Sequence, residues 1–588
     1  MIMKKLWPGT LNLADRARLA LNSMISVSDE DYDGIPFFSG HLRSDAENPA
    51  WISHGNWDYG SSHGRLIDSI AIVREMTGTT DGRDIEDIYK RNLLSFIRDD
   101  GLCYRQNSFS DEELTRLDAP FRAGAPMIDQ RAVILGLGTW YADTGDDRVK
   151  GYADRHVAAL KRIARKERES WYYTASEYFY EPKGWPSADA VNTRLAYDPC
   201  AMWGRQIGPI LTWHKLTGNA DALELCEMFA ANITLRSGAF LADGSWNGAL
   251  EYRNGHFHTR MGTLLSLARF AEYTGNAGLA AWVETRYRWA LNNWCTTFGW
   301  TPGDMHDQGY EHETCTLVDA IGCAISLAKQ GYHQYWQKAE KFIRNHLVES
   351  QLIDTSWVHQ LDTKAHDIPG RKTFYKVGDR LRGSFAGYAA PNDFVYSGMK
   401  GRGHILDVQV CCVASGARGL YYGWKHIVTE KRGRVSVNFL LNRSTEWLDV
   451  ESLLPNEGRV ILRIKKEIAD LAFRVPDWAH YGAVSVRYEG AGGLRCETGR
   501  TLSYIDDCFI KLGGAVTGDT ITIIFPVPER ETTERAIDDI YKVKWLGDNV
   551  SGISPEGTYF PLYARGLSAS SAPVMEREIF PGTGKRFE

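Results

Sequence analysis

Two cysteines stand side by side, Cys411 and Cys412, in the stretch DVQVCCVASGARG at 407–419. Neighbouring thiols can close only a strained ring, so a structural disulfide between them is a poor use of the pair. Roughly a hundred residues upstream, QGYEHETCTLVDAIG offers Glu313 and Cys315 at the mouth of an apolar segment of helical period. Three thiols and a carboxylate are a sensible tetrahedral set for zinc, which takes thiolate sulfur at about 2.3 Å. The spacing fits no zinc finger or ribbon, so placement as ordinary core cysteines stays open as the alternative.

Two further stretches carry groups that could line a ligand site. HGNWDYGSSHGR presents Trp57, Asp58 and Tyr59, an aromatic platform beside a carboxylate, although an Asp at a helix start also reads as a cap. ESWYYTASEYFYEPKGWPS holds Trp171, Tyr172, Tyr173, Tyr178, Phe179, Tyr180 and Trp185. So many aromatics either pack beneath a loop or line a subsite.

The elements that must position these residues repeat along the chain. VREMTG, WYADTGD, WHKLTGN, FAEYTGN and LAKQGY each close a long apolar stretch of helical period with a Gly, and after the last four comes a second helical stretch. In HQYWQKAEKFIRNHLVESQ, Trp336, Ala339, Ile343 and Leu347 form one stripe and the charged residues lie elsewhere. A unit of buried helix, Gly stop and amphipathic helix recurs, giving close to twelve helices before about residue 430, including one after the cysteine pair. Six such hairpins close into an α/α barrel, and an open helical solenoid reads similarly. Long segments between hairpins favour closure, because insertions at one end of a barrel are where sites are built.

From about residue 433 the period becomes two. RVSVNFLLN, RVILRI, AVSVRY and TITIIFP alternate apolar and polar residues between turns, as strands of a β-sandwich do. The expected organisation is an α/α barrel over 1–430, a β-sandwich over 431–535 and a C-terminal extension over 536–588 packing on either.

Composition excludes several classes. The 588 residues carry 68 Lys+Arg against 74 Asp+Glu, a formal charge of −6, with no basic patch, which argues against a nucleic-acid partner. No run of apolar residues is long enough for a membrane span, and the start, MIMKKLWPGTLNLADRARLAL, breaks any signal-like stretch, so a cytoplasmic protein is expected. Ten scattered cysteines then read as free thiols.

ETC opening a helix, followed by CC ahead of another helix and a β-sandwich, resembles the β-L-arabinofuranosidases of glycoside hydrolase family 127. NWDYGSSHGRLIDSIA and GHFHTRMGTLLSLARFAEYTG are similar to that family's early and middle helices. The resemblance implies a zinc ion held by Glu313, Cys315, Cys411 and Cys412, with Cys411 as the nucleophile of a retaining reaction on a small glycoside or oligosaccharide. It also implies histidines about the sugar: His256 resembles the sugar-contacting one, and His258, two residues on at the same helix start, is a second candidate. One departure concerns the general acid, a Glu after Gly in the family. WCTTFGWTPGDMHDQGYEHETC has Trp300 after Gly299 instead, leaving Asp304, Asp307 and Glu311 as carboxylates, of which Asp304 is the candidate and Trp300 a substrate contact. Where the family has histidines, MIDQRAV and MWGRQIGP offer Gln130, Arg131, Arg205 and Gln206; Arg131 and Arg205 suit a substrate bearing a carboxylate. Two rival readings stay open: a carbohydrate-binding protein with structural zinc, and a metal-free α/α-barrel epimerase or lyase. A homodimer is compatible with either.

Overall fold

A computed structural model describes residues 3–105, 123–180, 185–190, 193–194, 197–248, 256–305, 312–395, 407–490, 493–499, 501–506, 508–564, 566–567 and 570–584. Twelve long helices among them alternate between an outer and an inner ring. They are α1 (Leu13–Ser26), α2 (Gly60–Thr77), α3 (Arg83–Phe96), α4 (Met127–Thr144), α5 (Asp147–Ile163), α6 (Ile207–Thr217), α7 (Ala220–Leu235), α8 (Phe257–Thr274), α9 (Ala277–Trp294), α10 (Thr314–Lys329), α11 (Gln334–Phe342) and α12 (Val410–His426). The even-numbered helices pack in sequence around a ring, and α12 packs back on α2. That contact closes the barrel and rules out an open solenoid.

The Gly stops mark where inner helices turn to outer ones. Gly78, Gly145, Gly218 and Gly275 end α2, α4, α6 and α8 with φ between 64° and 73°, each N–H returning to the carbonyl four residues back. This left-handed cap needs no side chain, so the chain reverses within a few residues. The returns from outer to inner helices are long, and all lead to the N-terminal ends of the inner ring. The cysteine pair lies inside the first turn of α12 rather than ahead of a helix. Likewise the Trp336 stripe stays buried, but α11 ends at Phe342 and passes into a π-helical turn over Ile343–Leu347.

Two sheets follow. One joins Val428–Lys431, Arg434–Val437, Ile468–Arg474, Phe509–Ala515 and Ser503–Tyr504; the other joins Arg443–Ser444, Leu448–Ser452, Arg459–Ile464, Thr520–Ile524, Ser485–Gly490 and Gly493–Thr498. The expected alternation holds where strands are regular: Val460, Leu462 and Ile464 are buried, as are Ile521 and Ile523. It fails after Val437, where the strand ends and Phe439, Leu440 and Leu441 are all buried. A third sheet, Glu529–Ala536, Asp539–Leu546 and Asn549–Ser554, meets the barrel through Asn345, whose Nδ2 donates to Asp548 O at 2.8 Å. The strand Val574–Ile579 pairs antiparallel with Met3–Pro8, tying the two ends of the chain. No described helix is long and apolar enough to cross a membrane.

Candidate metal centre

The starts of neighbouring inner helices bring the four expected donors together. Glu313 is the N-cap of α10 and makes no capping bond to its own helix, so its carboxylate is available elsewhere. Cys315 lies in the first turn of α10, and Cys411 and Cys412 in the first turn of α12. The donor atoms of all four lie within 4.8 Å of one another. Cys315 Sγ is 3.7 Å from Cys412 Sγ, and Cys411 Sγ is 3.9 Å from Cys412 Sγ. A tetrahedral ion with sulfur at about 2.3 Å holds its sulfurs about 3.8 Å apart, so the thiols already have the separation that a zinc-like ion needs. All ten cysteines are free thiols. The four residues thus form a buried group able to hold a metal ion.

Electrostatics favours negative charge here. Both helix N-termini present partial positive charge to the thiols. Arg65, on α2, stands beside the cluster: burial disfavours its charge, and Cys411, Cys315, Glu313 and Cys412 more than restore it. Hydrogen bonds from Cys315 and Cys412 push Cys411 well below the usual thiol range, while burial pushes Cys412 well above it. Cys411 is therefore the thiol that ionises first. Burial raises Glu313, but His256 and His258 outweigh it and hold the carboxyl below its ordinary value. His256 Nε2 meets Glu313 Oε2 at 2.7 Å and orients it.

A pocket opens beside the cluster, lined by Phe38, Trp57, Ser61, Arg65, Ile128, Arg205, His256, His258, Glu313, Gln409 and Cys411. Residues at or just before the start of every inner helix contribute to it. Cys411 is 8 % exposed whereas Cys315 and Cys412 are fully buried, so one thiol of the three faces the pocket. Arg65, Gln409, Phe38 and Ser61 were not among the residues singled out from the sequence. Only Arg65 carried a signal, a charge within a helix that is otherwise apolar or small around most of its circumference.

The structure gathers some sequence candidates and scatters others. His256, His258, Trp57 and Arg205 line the pocket. Burial, then Arg205, pushes the pKa of His258 well down. Arg131 borders a second cavity instead. Asp58 is buried away from the pocket, where Oδ2 accepts from Gly55 N at 2.8 Å and meets His54 Nδ1 at 3.0 Å. It is a loop-bracing residue because its own turn satisfies it first. Trp300 is core, its Nε1 donating to Ala389 O at 3.2 Å. Asp304 is half-buried and its backbone pairs with that of His256, without its side chain lining the pocket. Asp307 and Glu311 lie outside the described residues. The aromatic-rich loop resolves toward packing: Trp171, Tyr173, Tyr178 and Phe179 are buried, and Trp185 is exposed.

Neither protein-family models nor curated proteins match the sequence. Solved structures do match. A GH127 β-L-arabinofuranosidase from Geobacillus stearothermophilus T6 aligns over 91 % of this chain and 80 % of its own, with a TM-score of 0.56 at 13 % identity. A second GH127 β-arabinofuranosidase aligns over 92 % and 80 %, with a TM-score of 0.56 at 12 % identity. A third structure, described as a glycoside hydrolase, gives a TM-score of 0.57 at 11 % identity over 93 % and 81 %. The chain has the GH127 fold. The likeness covers more than nine-tenths of the chain, so it extends beyond the barrel into the β-sheets that follow it. Within that GH127 fold, the thiols, Glu313 and the pocket are observations on this chain's own residues.

Proposed function

We infer that the protein is a retaining glycoside hydrolase in which Cys411 is the nucleophile and Glu313, Cys315, Cys411 and Cys412 hold a zinc ion. The observation that carries this reading is the division of labour among the thiols: two are sealed and one faces a polar pocket beside a carboxylate–histidine pair. A zinc ion bound there would keep its thiol ligands deprotonated and fixed in orientation. The sulfur of Cys411 attacks the anomeric carbon as the bond to the leaving oxygen breaks, and a general acid returns a proton to that oxygen. Water, deprotonated by the same residue, then displaces the sulfur, so two inversions give net retention. Asp304 is the candidate acid, since its backbone forms a β-bridge with that of His256, which lines the pocket. His256, His258, Trp57 and Arg205 are the proposed sugar contacts, and Arg205 suits an acidic sugar. With Arg131 placed on the second cavity, a paired arginine grip on a carboxylate is not part of this reading.

The test uses purified protein with its metal content measured by mass spectrometry, then treated with sugar epoxides and haloacetamides. Equimolar zinc and a thioether adduct confined to Cys411 are expected. Zinc without any adduct would support the structural-zinc alternative, and metal-free protein would sink the reading.

A further inference from the structure

Beneath the pocket, inside the ring, lies a second cavity of about 50 Å³. One ordered water needs roughly 10–15 Å³ on that measure, so the space takes a few waters or one small ion but no sugar. Its charged lining is Arg131 on α4, Arg205 just before α6, Arg269 on α8 and Arg418 on α12, against Asp68 on α2 and Asp319 on α10. Four guanidiniums thus face two carboxylates. Asp68 is engaged, since it pairs with Arg418 and accepts from Thr139 Oγ1 at 2.7 Å; Asp319 Oδ2 lies 2.9 Å from His258 Nδ1 without a hydrogen bond and is the one carboxylate left beside Arg131 and Arg205.

One carboxylate does not settle the positive side. Arg205 is 1 % exposed, and its Nε, Nη1 and Nη2 are buried without a hydrogen-bond partner; Arg131 Nε is in the same state. Burial pushes both down and a neighbouring guanidinium adds to it, Arg205 for Arg131 and Arg65 for Arg205; Arg131 falls to about 9. A lysine in such a place could shed its proton, but a guanidinium holds its own across the working pH range. Buried donors of fixed charge require an acceptor, and an anion supplies both the acceptor and the missing charge. Two glycines keep the space open: a Cβ on Gly262 would come within 2.6 Å of Asp319 Oδ2, and one on Gly208 within 3.0 Å of Ser266 Oγ.

We propose that this cavity is a binding site for one compact inorganic anion, chloride or a tetrahedral oxyanion, held by the guanidinium groups of Arg131 and Arg205. The site is independent of the chemistry at Cys411. Because Arg205 also borders the upper pocket, the bound anion would fix the guanidinium that meets a ligand there.

The experiment compares thermal unfolding of the full chain in sodium gluconate with chloride, phosphate and sulfate at equal pH and ionic strength, alongside Arg131→Gln. The expected result is a saturable rise in midpoint with a compact anion over gluconate, lost in R131Q, which in gluconate alone is no less stable than wild type. Saturation separates binding from the general salting effect of sulfate and phosphate. Titration calorimetry of chloride and phosphate into wild type should saturate at one anion per chain, and it decides the matter should R131Q not fold. Equal midpoints in all four salts, or a full response retained by R131Q, overturn the site. Stabilisation by glucuronate without any by the inorganic anions would instead assign these arginines to an acidic substrate.

Discussion

At the scale of single residues, the thiol cluster depends on a counter-charge contributed by another helix. Arg65 is the neighbouring cation that the negative charge of Cys411, Cys315, Glu313 and Cys412 sustains, so it favours their ionised forms in turn. Replacing it with Met should move the pH profile of Cys411 alkylation in chelator-treated protein upward by about one unit, the effect of roughly 1.4 kcal/mol. An unchanged profile would mean that the helix N-termini suffice. His54 makes a second prediction. Burial lowers its pKa, yet hydrogen bonds to Asp29 and Asp58 raise it to about 8, while burial raises Asp58 to about 6. A raised folded value favours the protonated form on folding, so the stability from His54 is complete below about pH 6.5 and is lost as pH rises through 8. The unfolding midpoint should therefore fall between pH 6.5 and 8.5 by an amount worth about 2 kcal/mol, and His54→Asn should flatten that slope.

At the scale of elements, glycine serves two unrelated purposes in the inner ring. Gly145 ends α4 with φ of 64° and has open space where a Cβ would lie, so Gly145→Ala costs only backbone strain, about 1 kcal/mol. Gly64 lies where α2 meets α4; a Cβ there would stand 1.9 Å from the carbonyl oxygen of Ala132, and the facing Gly136 would meet Gly64 Cα at 2.7 Å. Backbone cannot swing aside as a side chain can. Gly64→Ala should cost about 3 kcal/mol or more by denaturant unfolding, and a cost equal to that of G145A would contradict this account of the helix contact. The glycine stops were legible in the sequence because a left-handed cap is a local requirement. Gly64 and Gly136 were not, because the close approach they permit involves helices separated by a whole hairpin.

For the whole molecule, a buried charge network joins the barrel to the first sheet. Glu340 on α11 accepts from Arg344 Nε at 2.6 Å and from Leu440 N at 3.1 Å, and pairs with Arg474 of the strand Ile468–Arg474; Arg474 Nε reaches Asn438 O at 2.5 Å. Burial opposes ionisation of Glu340, and Arg344 and Arg474 overcome it. Glu340→Ala leaves two arginines buried without their shared acceptor and should cost about 3–5 kcal/mol of unfolding free energy. The double change E340M with R474M, which removes charge from both sides, should recover much of that loss; a double variant as unstable as E340A alone would point to packing instead of charge.

The sequence by itself determined the alternation of buried and amphipathic helices, the places where they stop, the change to strands near residue 433 and which side chains had the chemistry of metal donors; that Glu313, Cys315, Cys411 and Cys412 converge was left to the fold. Each feature so determined is written in spacing between near neighbours or in the chemistry of a side chain, so no distant contact is needed to read it. Only the tertiary structure decided that α12 returns to α2, that Cys411 faces the pocket while Cys412 does not, and that Arg205 borders both cavities while Arg131 borders only the second. It also moved Asp58 and Trp300 out of the site. Those outcomes follow from how far each inner helix is rotated and slid against its partners, and side chains one residue apart on a helix point about 100° away from each other. Periodicity tells which helices are buried, but the choice of the residue that meets the pocket is made by packing across the closed ring.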